Sequence, residues 1–374
     1  MTRTMCAAVL AALLVAAAPA VAADCKLTQY ASADLVMPPG GAVLVPVKIG
    51  GHEALMALQM STGLATVSPA AVTQLGLQTG FVRTDVKLKA GNQTIEREVR
   101  VDSLIIGGAN FAGWKLYVQP GQVRPLPMVQ GRPVIGSLAS NFMNAVDMEL
   151  DLARGKMNLF QHARCKGGQV YWSDQYATEY LYVDPSGLLY FPVGLDGKRI
   201  EASLNTQGPR TRLSEVIAKR FFGFRRDASA PAPAPAAPGA PPQFVGTRTM
   251  GLNSRKVSLP DVQVHIMDDT QRPCEYAQSA RGSNAISFKN CFGIVPFEMG
   301  TDLLKQMRIY LASKEERVYF TLNAATTGPA AGDSASAGAG QRAAPAGGGA
   351  AAAPGADPAA AGPGPAGPDG APAR

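Results

Sequence analysis

The sequence predicts an all-β chain with a few short helices, built from two copies of one unit. Three observations carry this. First, two stretches align without a gap. One runs Val45-Pro46-Val47-Lys48-Ile49-Gly50-Gly51 and on to Leu58-Gln59-Met60-Ser61, then Val67-Ser68. The other runs Phe191-Pro192-Val193-Gly194-Leu195-Asp196-Gly197 and on to Leu204-Asn205-Thr206-Gln207, then Leu213-Ser214. Second, a further matched pair closes each copy: Asn141-Phe142-Met143 through Leu159, and Asp302-Leu303-Leu304 through Phe320. Third, the apolar residues between these landmarks fall in short runs broken by glycine, the pattern of strands and tight turns. A repeated unit fixes the architecture before any single element is assigned.

The elements follow in chain order. Val43 to Ile49 is a strand, Gly50-Gly51 a turn, and Ala54 to Leu58 the returning strand. Ser68 caps a short helix, with Pro69 in its first turn, an apolar face of Ala70, Ala71, Val72 and Leu75, and Gly76 at its end. Val86-Lys87-Leu88 and Ile95 to Val101 flank Ala90-Gly91-Asn92, a hairpin signal. Leu104 to Gly108 and Trp114 to Val118 are further strands. The second copy repeats the order with a strand Leu189 to Leu195, a turn at Asp196-Gly197, a helix capped by Ser214, and a strand Val257 to Ile266. Each closing match reads as a short helix and then a hairpin, with turns at Ala153-Arg154-Gly155 and Lys314-Glu315-Glu316.

The remaining segments are of other kinds. Residues 1–22 read as a secretory signal peptide: Arg3, an apolar run from Ala7 to Ala18, then Ala20-Val21-Ala22. That run is shorter than the ~20 residues needed to span a bilayer, and no later run is long enough either. Asp24 is not the small residue that lipoprotein processing at Cys25 requires. Asp227 to Pro242 is an Ala/Pro insertion, and residues 324–374 are an Ala/Gly/Pro tail. Both are too poor in large apolar side chains to offset their ordering entropy, so both are expected to stay unfolded. Two lobes are expected, 23–165 and 166–323.

Export makes the cysteines legible. Cys6 leaves with the signal peptide, and Cys25, Cys165, Cys274 and Cys291 remain in an oxidising compartment. Four cysteines allow three pairings, and the local ones, Cys25 with Cys165 and Cys274 with Cys291, are expected. No Cys-x-x-Cys or paired histidine points to zinc, and His52, His162 and His265 are isolated, so no metal or cofactor is expected. Lys plus Arg number 35 against 28 Asp plus Glu, a net +7. Removal of Arg3 leaves 34 − 28 = +6. The basic residues cluster only weakly, as at Lys219-Arg220 and Arg225-Arg226, so a nucleic-acid partner is not expected.

The two matched motifs, in that order and twice over, resemble the retropepsin-like aspartic protease family in its exported bacterial form with two lobes in one chain. Pro46 to Leu77 and Pro192 to Phe222 match the family's strand, glycine turn, Asp-Thr-Gly and Ser-capped helix in everything but the triplet. Met299-Gly300-Thr301-Asp302-Leu303-Leu304 matches its second motif well, and Leu138-Ala139-Ser140-Asn141-Phe142-Met143 less well. Cys165-Lys166-Gly167-Gly168-Gln169-Val170-Tyr171-Trp172 is similar to the segment between its lobes. The resemblance spans Cys25 to Leu322. It implies two retropepsin-like β-barrel lobes related by a pseudo-twofold, a cleft between them, a monomer, and one catalytic Asp from each lobe. Such carboxylates share a proton because two like charges so close cannot both ionise. One then activates water while the other polarises the peptide carbonyl.

The triplets here read Gln59-Met60-Ser61 and Asn205-Thr206-Gln207. An amide has neither a proton to give nor a basic lone pair near neutral pH. Sliding by two residues puts Ser61-Thr62-Gly63 on the first triplet, which still supplies no carboxylate. Asp147, Asp151 and Asp302 are the acids considered as substitutes. Ser61 has no histidine at a motif-like spacing to activate it. The expectation is therefore an inactive protein, periplasmic or extracellular, that binds an extended peptide or protein partner at Gln59, Met60, Ser61, Asn205, Thr206 and Gln207, with the hairpin at Gly91 covering the cleft. The amides are expected either to hydrogen-bond across the lobe interface, in place of the network that two acids would make, or to face that peptide. The rival readings are an active aspartic-type endopeptidase with an unusual site and a structural envelope protein whose cleft does nothing.

Overall fold

The structure is a computed structural model. It describes residues 27–83, 88–90, 93–163, 168–184, 186–225, 244–252, 257–267, 275–278, 286–289 and 295–323. The signal peptide, all four retained cysteines with the expected lobe boundary at 165, Gly91, the insertion 227–242 and the tail 324–374 lie outside the described residues. Among the described residues, no helix is long and apolar enough to cross a membrane.

Among the described residues three large sheets and two two-stranded ones, 89–90 with 93–94 and 275–278 with 286–289, make up a fold that is all-β with short helices. One has ten strands, all from residues 44–139, with Leu44–Ile49, His52–Gln59, Arg132–Ala139 and Thr66–Val67 side by side at its centre. A second has seven strands, all from residues 182–299, with Leu189–Leu195, Lys198–Leu204, Phe297–Met299 and Arg212–Ser214 in the matching places. The third has six strands and draws on both copies. Its order is Gln29–Asp34, Lys156–Phe160, Asp147–Asp151, Met307–Ala312, Arg317–Leu322 and Ala177–Tyr180.

The register at the middle of that shared sheet carries the pseudo-twofold. Met148 faces Leu311, Glu149 faces Tyr310 and Leu150 faces Ile309 in antiparallel pairing. Under the offset of the closing motifs, Met148 corresponds to Ile309 and Leu150 to Leu311. Glu149 is therefore paired with its own counterpart, Tyr310, while the pairs on either side exchange, and the symmetry axis passes between Glu149 and Tyr310.

The helices stand where their caps predict. Pro69–Gln74 is capped by Ser68, whose hydroxyl accepts from Ala71 N at 3.2 Å. Glu215–Phe222 is capped by Ser214, which accepts from Ile217 N at 3.3 Å, and ends at Gly223 with φ 67°. Both closing motifs are a short helical turn and a hairpin, at Ser140–Asn144 with strands 147–151 and 156–160, and at Thr301–Leu304 with strands 307–312 and 317–322.

The central strand Arg132–Ala139 has a weak sequence signal because Pro133 and Gly136 interrupt it. Gly136 is required by packing: a Cβ there would sit 2.0 Å from the Thr66 carbonyl oxygen of the neighbouring strand.

The two copies fill one site differently. In the first, Val36, Leu44 and Leu55 form a small buried aliphatic cluster. The matched residues in the second are Tyr182, Tyr190 and Glu201, held by the same pairings: Val36 with Leu44 and Pro46 with Leu55, against Tyr182 with Tyr190 and Pro192 with Glu201. Burial pushes the Glu201 carboxyl up to about 7 from its ordinary 4.5, against a smaller opposing pull from Arg199. Between those values the folded chain holds a proton that the unfolded chain releases, so stability falls as pH rises through that window. Glu201→Leu is expected to remove this fall. The variant should gain roughly 1–2 kcal/mol over the parent at about pH 8 and little at about pH 4, read by urea denaturation. An equal gain at both values would contradict the buried carboxyl.

Candidate functional site: the floor between the lobes

Each amide stands at the end of a strand held from the side by a parallel neighbour. Leu58 pairs with Leu138 and Gln59 with Ala139 in the first lobe. In the second, Leu204 pairs with Met299, and Asn205 N donates to the Met299 carbonyl at 2.9 Å. The turns that follow repeat the same bonds. Ser140 N donates to Thr62 O at 2.9 Å, and Thr301 N donates to Gly208 O at 3.0 Å. The backbone thus follows the ungapped alignment of the copies, with Gln59 and Asn205 in equivalent places, rather than the alignment slid by two residues.

The lobes meet around these turns through paired contacts. Thr301 Oγ1 donates to Gly41 O at 3.2 Å, and its counterpart Ser140 donates to Gly187 O. Gly187 has φ 82° and lies against Gly63, so close that a Cβ on it would be 2.2 Å from the Gly63 Cα. Glycine meets both demands at once.

At the centre the symmetry fails. Thr206, 1% exposed, donates its hydroxyl across the interface to the Leu58 carbonyl, which also accepts from Gln207 Nε2 at 2.6 Å. Val43 N returns a bond to Thr206 O at 2.8 Å. Met60 holds the position matched to Thr206 and is equally buried, but a thioether has no proton to donate. At this centre the side-chain bonds therefore run one way, from Thr206 and Gln207 to the Leu58 carbonyl, whereas the flanking pair from Thr301 and Ser140 runs in both directions.

Among the described residues neither amide side chain bonds across the interface, which corrects the first of the two expectations for them. Asn205 is used within its own lobe. Its Oδ1 accepts from Gln207 N at 3.1 Å, and its Nδ2 donates to Glu298 Oε2 at 3.2 Å. The same Glu298 oxygen accepts from the Arg212 guanidinium. Gln59 is half-buried, and its side chain has no hydrogen-bond partner among the described residues. Ser61 is also half-buried, on the turn after Gln59.

Glu298 and Arg212 escape a motif search because the first copy holds different chemistry there. The matched residues are Ser137 and Thr66, whose hydroxyls bond each other at 2.8 Å. The signal was present four residues upstream of Asn141 and Asp302, where the closing match extends to set Ser137 against Glu298.

None of the three acids considered as substitutes stands at either strand end. Asp147 is fully buried in the shared sheet, accepting from Ser313 N at 3.0 Å and bonded to His162 Nδ1 at 2.9 Å. Asp151 is held by Arg154 at 2.6 Å. Asp302 accepts from Thr211 Oγ1 at 2.7 Å and from Leu303 N at the start of its helix. The floor thus offers amides, a hydroxyl already spent across the interface, and one carboxylate in an ion pair. It can hydrogen-bond a ligand, but it has no pair of acids to share a proton.

No family model matches the chain, and no curated protein matches it. Among solved structures it is similar to conglutin gamma, a basic 7S globulin from lupine seeds, at 9% identity and TM-score 0.46, covering 80% of this chain and 96% of that one. It is similar to the aspartic proteinase from Irpex lacteus at 8% identity and TM-score 0.46, covering 79% and 98%. It is also similar to a retropepsin-like aspartic protease from Rickettsia conorii at 12% identity and TM-score 0.27, covering 36% of this chain and 96% of that one.

Proposed function

We propose that the chain is an exported, aspartic-protease-like protein that has lost hydrolysis and binds an extended peptide, or an extended stretch of a protein partner, between its lobes. The observation that carries this is the state of the two matched strand ends. Neither bears a carboxylate, Asn205 is tied to Glu298 and Gln207, and the Gln59 amide has no partner among the described residues. A free amide on a half-buried floor can both donate to and accept from a peptide backbone. General acid–base chemistry contributes about 10²–10⁴-fold in such reactions, and its loss at both positions removes useful turnover.

The test offers the purified protein a denatured protein substrate from acidic to neutral pH, with and without an aspartic-protease inhibitor. No cleavage above the blank is expected. Inhibitor-sensitive cleavage would overturn the reading and would favour an active endopeptidase with an unusual site. Extended peptides captured by the parent protein are expected to bind about tenfold more weakly to Gln59→Ala, a loss of one or two hydrogen bonds. Unchanged capture would remove the cleft from the function and favour a structural role.

A further inference from the structure

The exchange of Val36, Leu44 and Leu55 for Tyr182, Tyr190 and Glu201 opens a surface that the first lobe keeps closed. Val36 is 9% exposed, while its counterpart Tyr182 is 44% exposed. Tyr182 stacks on Tyr190, with ring centroids 5.3 Å apart and planes within 22°. Tyr180 extends the row at 6.2 Å, with the Arg317 guanidinium 3.5 Å from its ring centroid. Half-exposed rings in a row give up the burial that makes tyrosine stabilising in a core, so packing alone does not account for them.

Tyr182, the middle ring of the row, lines a cavity of about 440 Å³ between the lobes. Its apolar wall includes Met143, Leu181 and Leu189, and its polar wall includes Asn141, Asn144 and Glu316. The polar wall has unspent capacity. Asn141 Oδ1 is buried without a hydrogen-bond partner, and the side chains of Asn144 and Glu316 have none among the described residues. A cavity of this size is in the range of small-ligand sites. Gln59 and Asn205 do not line it, so it is independent of the peptide reading.

We propose that this cavity binds a short oligosaccharide. A sugar ring has an apolar face of C–H groups that packs on tyrosine, and hydroxyls around its edge that donate to and accept from amides and carboxylates. Asn141 Oδ1, buried, is an acceptor that lacks a donor, and the exposed Glu316 carboxylate can accept from an O–H or N–H as well. A proline-rich peptide would also favour the aromatic row, but proline has no N–H to give them.

The experiment uses the purified full-length protein in isothermal titration calorimetry with cellotetraose, chitotriose and maltotetraose, and with a decaproline peptide for comparison. At least one of the sugars is expected to bind. The double change Tyr182→Val, Tyr190→Leu installs the residues that the first copy already packs at these positions, and it should weaken that binding by about tenfold or more. Asn141→Ala leaves the tyrosine row intact and should weaken it similarly. Thermal denaturation followed by circular dichroism checks that each variant is folded. The proposal is overturned if none of the three sugars binds, if both folded variants bind as the parent does, or if only the decaproline peptide binds.

Discussion

Arg308→Ala is expected to cost about 3–5 kcal/mol of folding stability, because it leaves a buried carboxylate without its cation. Glu149 lies beside the pseudo-twofold in the shared sheet and is 1% exposed. Arg308 Nε donates to Glu149 Oε1 at 2.7 Å, and Tyr171 OH donates to Glu149 Oε2 at 2.8 Å. Burial, with help from that bond, pushes the Tyr171 hydroxyl up to about 12, so it remains a donor at any pH where the protein is studied. The Arg308 guanidinium also lies 4.1 Å from the Trp172 ring centroid. This one cluster joins the hairpin of the first copy, the hairpin of the second and the segment between them. Its removal should loosen all three together. Replacing both partners, Glu149→Leu with Arg308→Leu, should recover most of the loss, since two apolar groups leave no charge stranded. Urea denaturation reads both results. A loss below about 1 kcal/mol for Arg308→Ala would mean that the pair behaves as a surface salt bridge.

The second large effect is expected at the floor between the lobes. Asn205→Asp restores the acid that the family resemblance implies, yet it should destabilise the protein by about 2–3 kcal/mol at neutral pH. The reason is Glu298, whose oxygen lies 3.2 Å from Asn205 Nδ2. A carboxylate in that place loses a donated hydrogen bond and gains a like charge, relieved only in part by Arg212. The introduced carboxyl is then held above its ordinary pKa. The folded form keeps a proton that the unfolded form releases, so the penalty is small in acid and grows as pH rises through the raised pKa. Asn205→Ala removes both of the residue's hydrogen bonds without adding charge and should show no such pH dependence. Equal pH profiles for the two variants would place Glu298 too far away to matter.

Much of the fold is legible in the residues. The ungapped alignment, the serine caps at Ser68 and Ser214 and the closing motifs all reappear as matched structure, because each depends on residues close together in the chain. The strand Arg132–Ala139 is hidden by Pro133 and Gly136, and its glycine makes sense only when the Thr66 carbonyl is seen beside it. At the site, the positions of Gln59 and Asn205 are legible, while their surroundings are not. Thr206 reaches Leu58 across 148 residues of chain, and Asn205 reaches Glu298 across 93.

The sequence by itself determined that the chain is a duplication, that the copies share one order of strands and capped helices, and that both matched centres carry amides where a proton-sharing pair would need acids. These are properties of residue type and local spacing. Only the tertiary structure decided that the two amides have different fates, one bonded to Glu298 and the other without a partner among the described residues, and that the side-chain bonds to the Leu58 carbonyl have no counterpart from Met60. Hydrogen bonds act over about 3 Å between whichever groups packing brings together, and equivalent places in a repeat need not have equivalent neighbours.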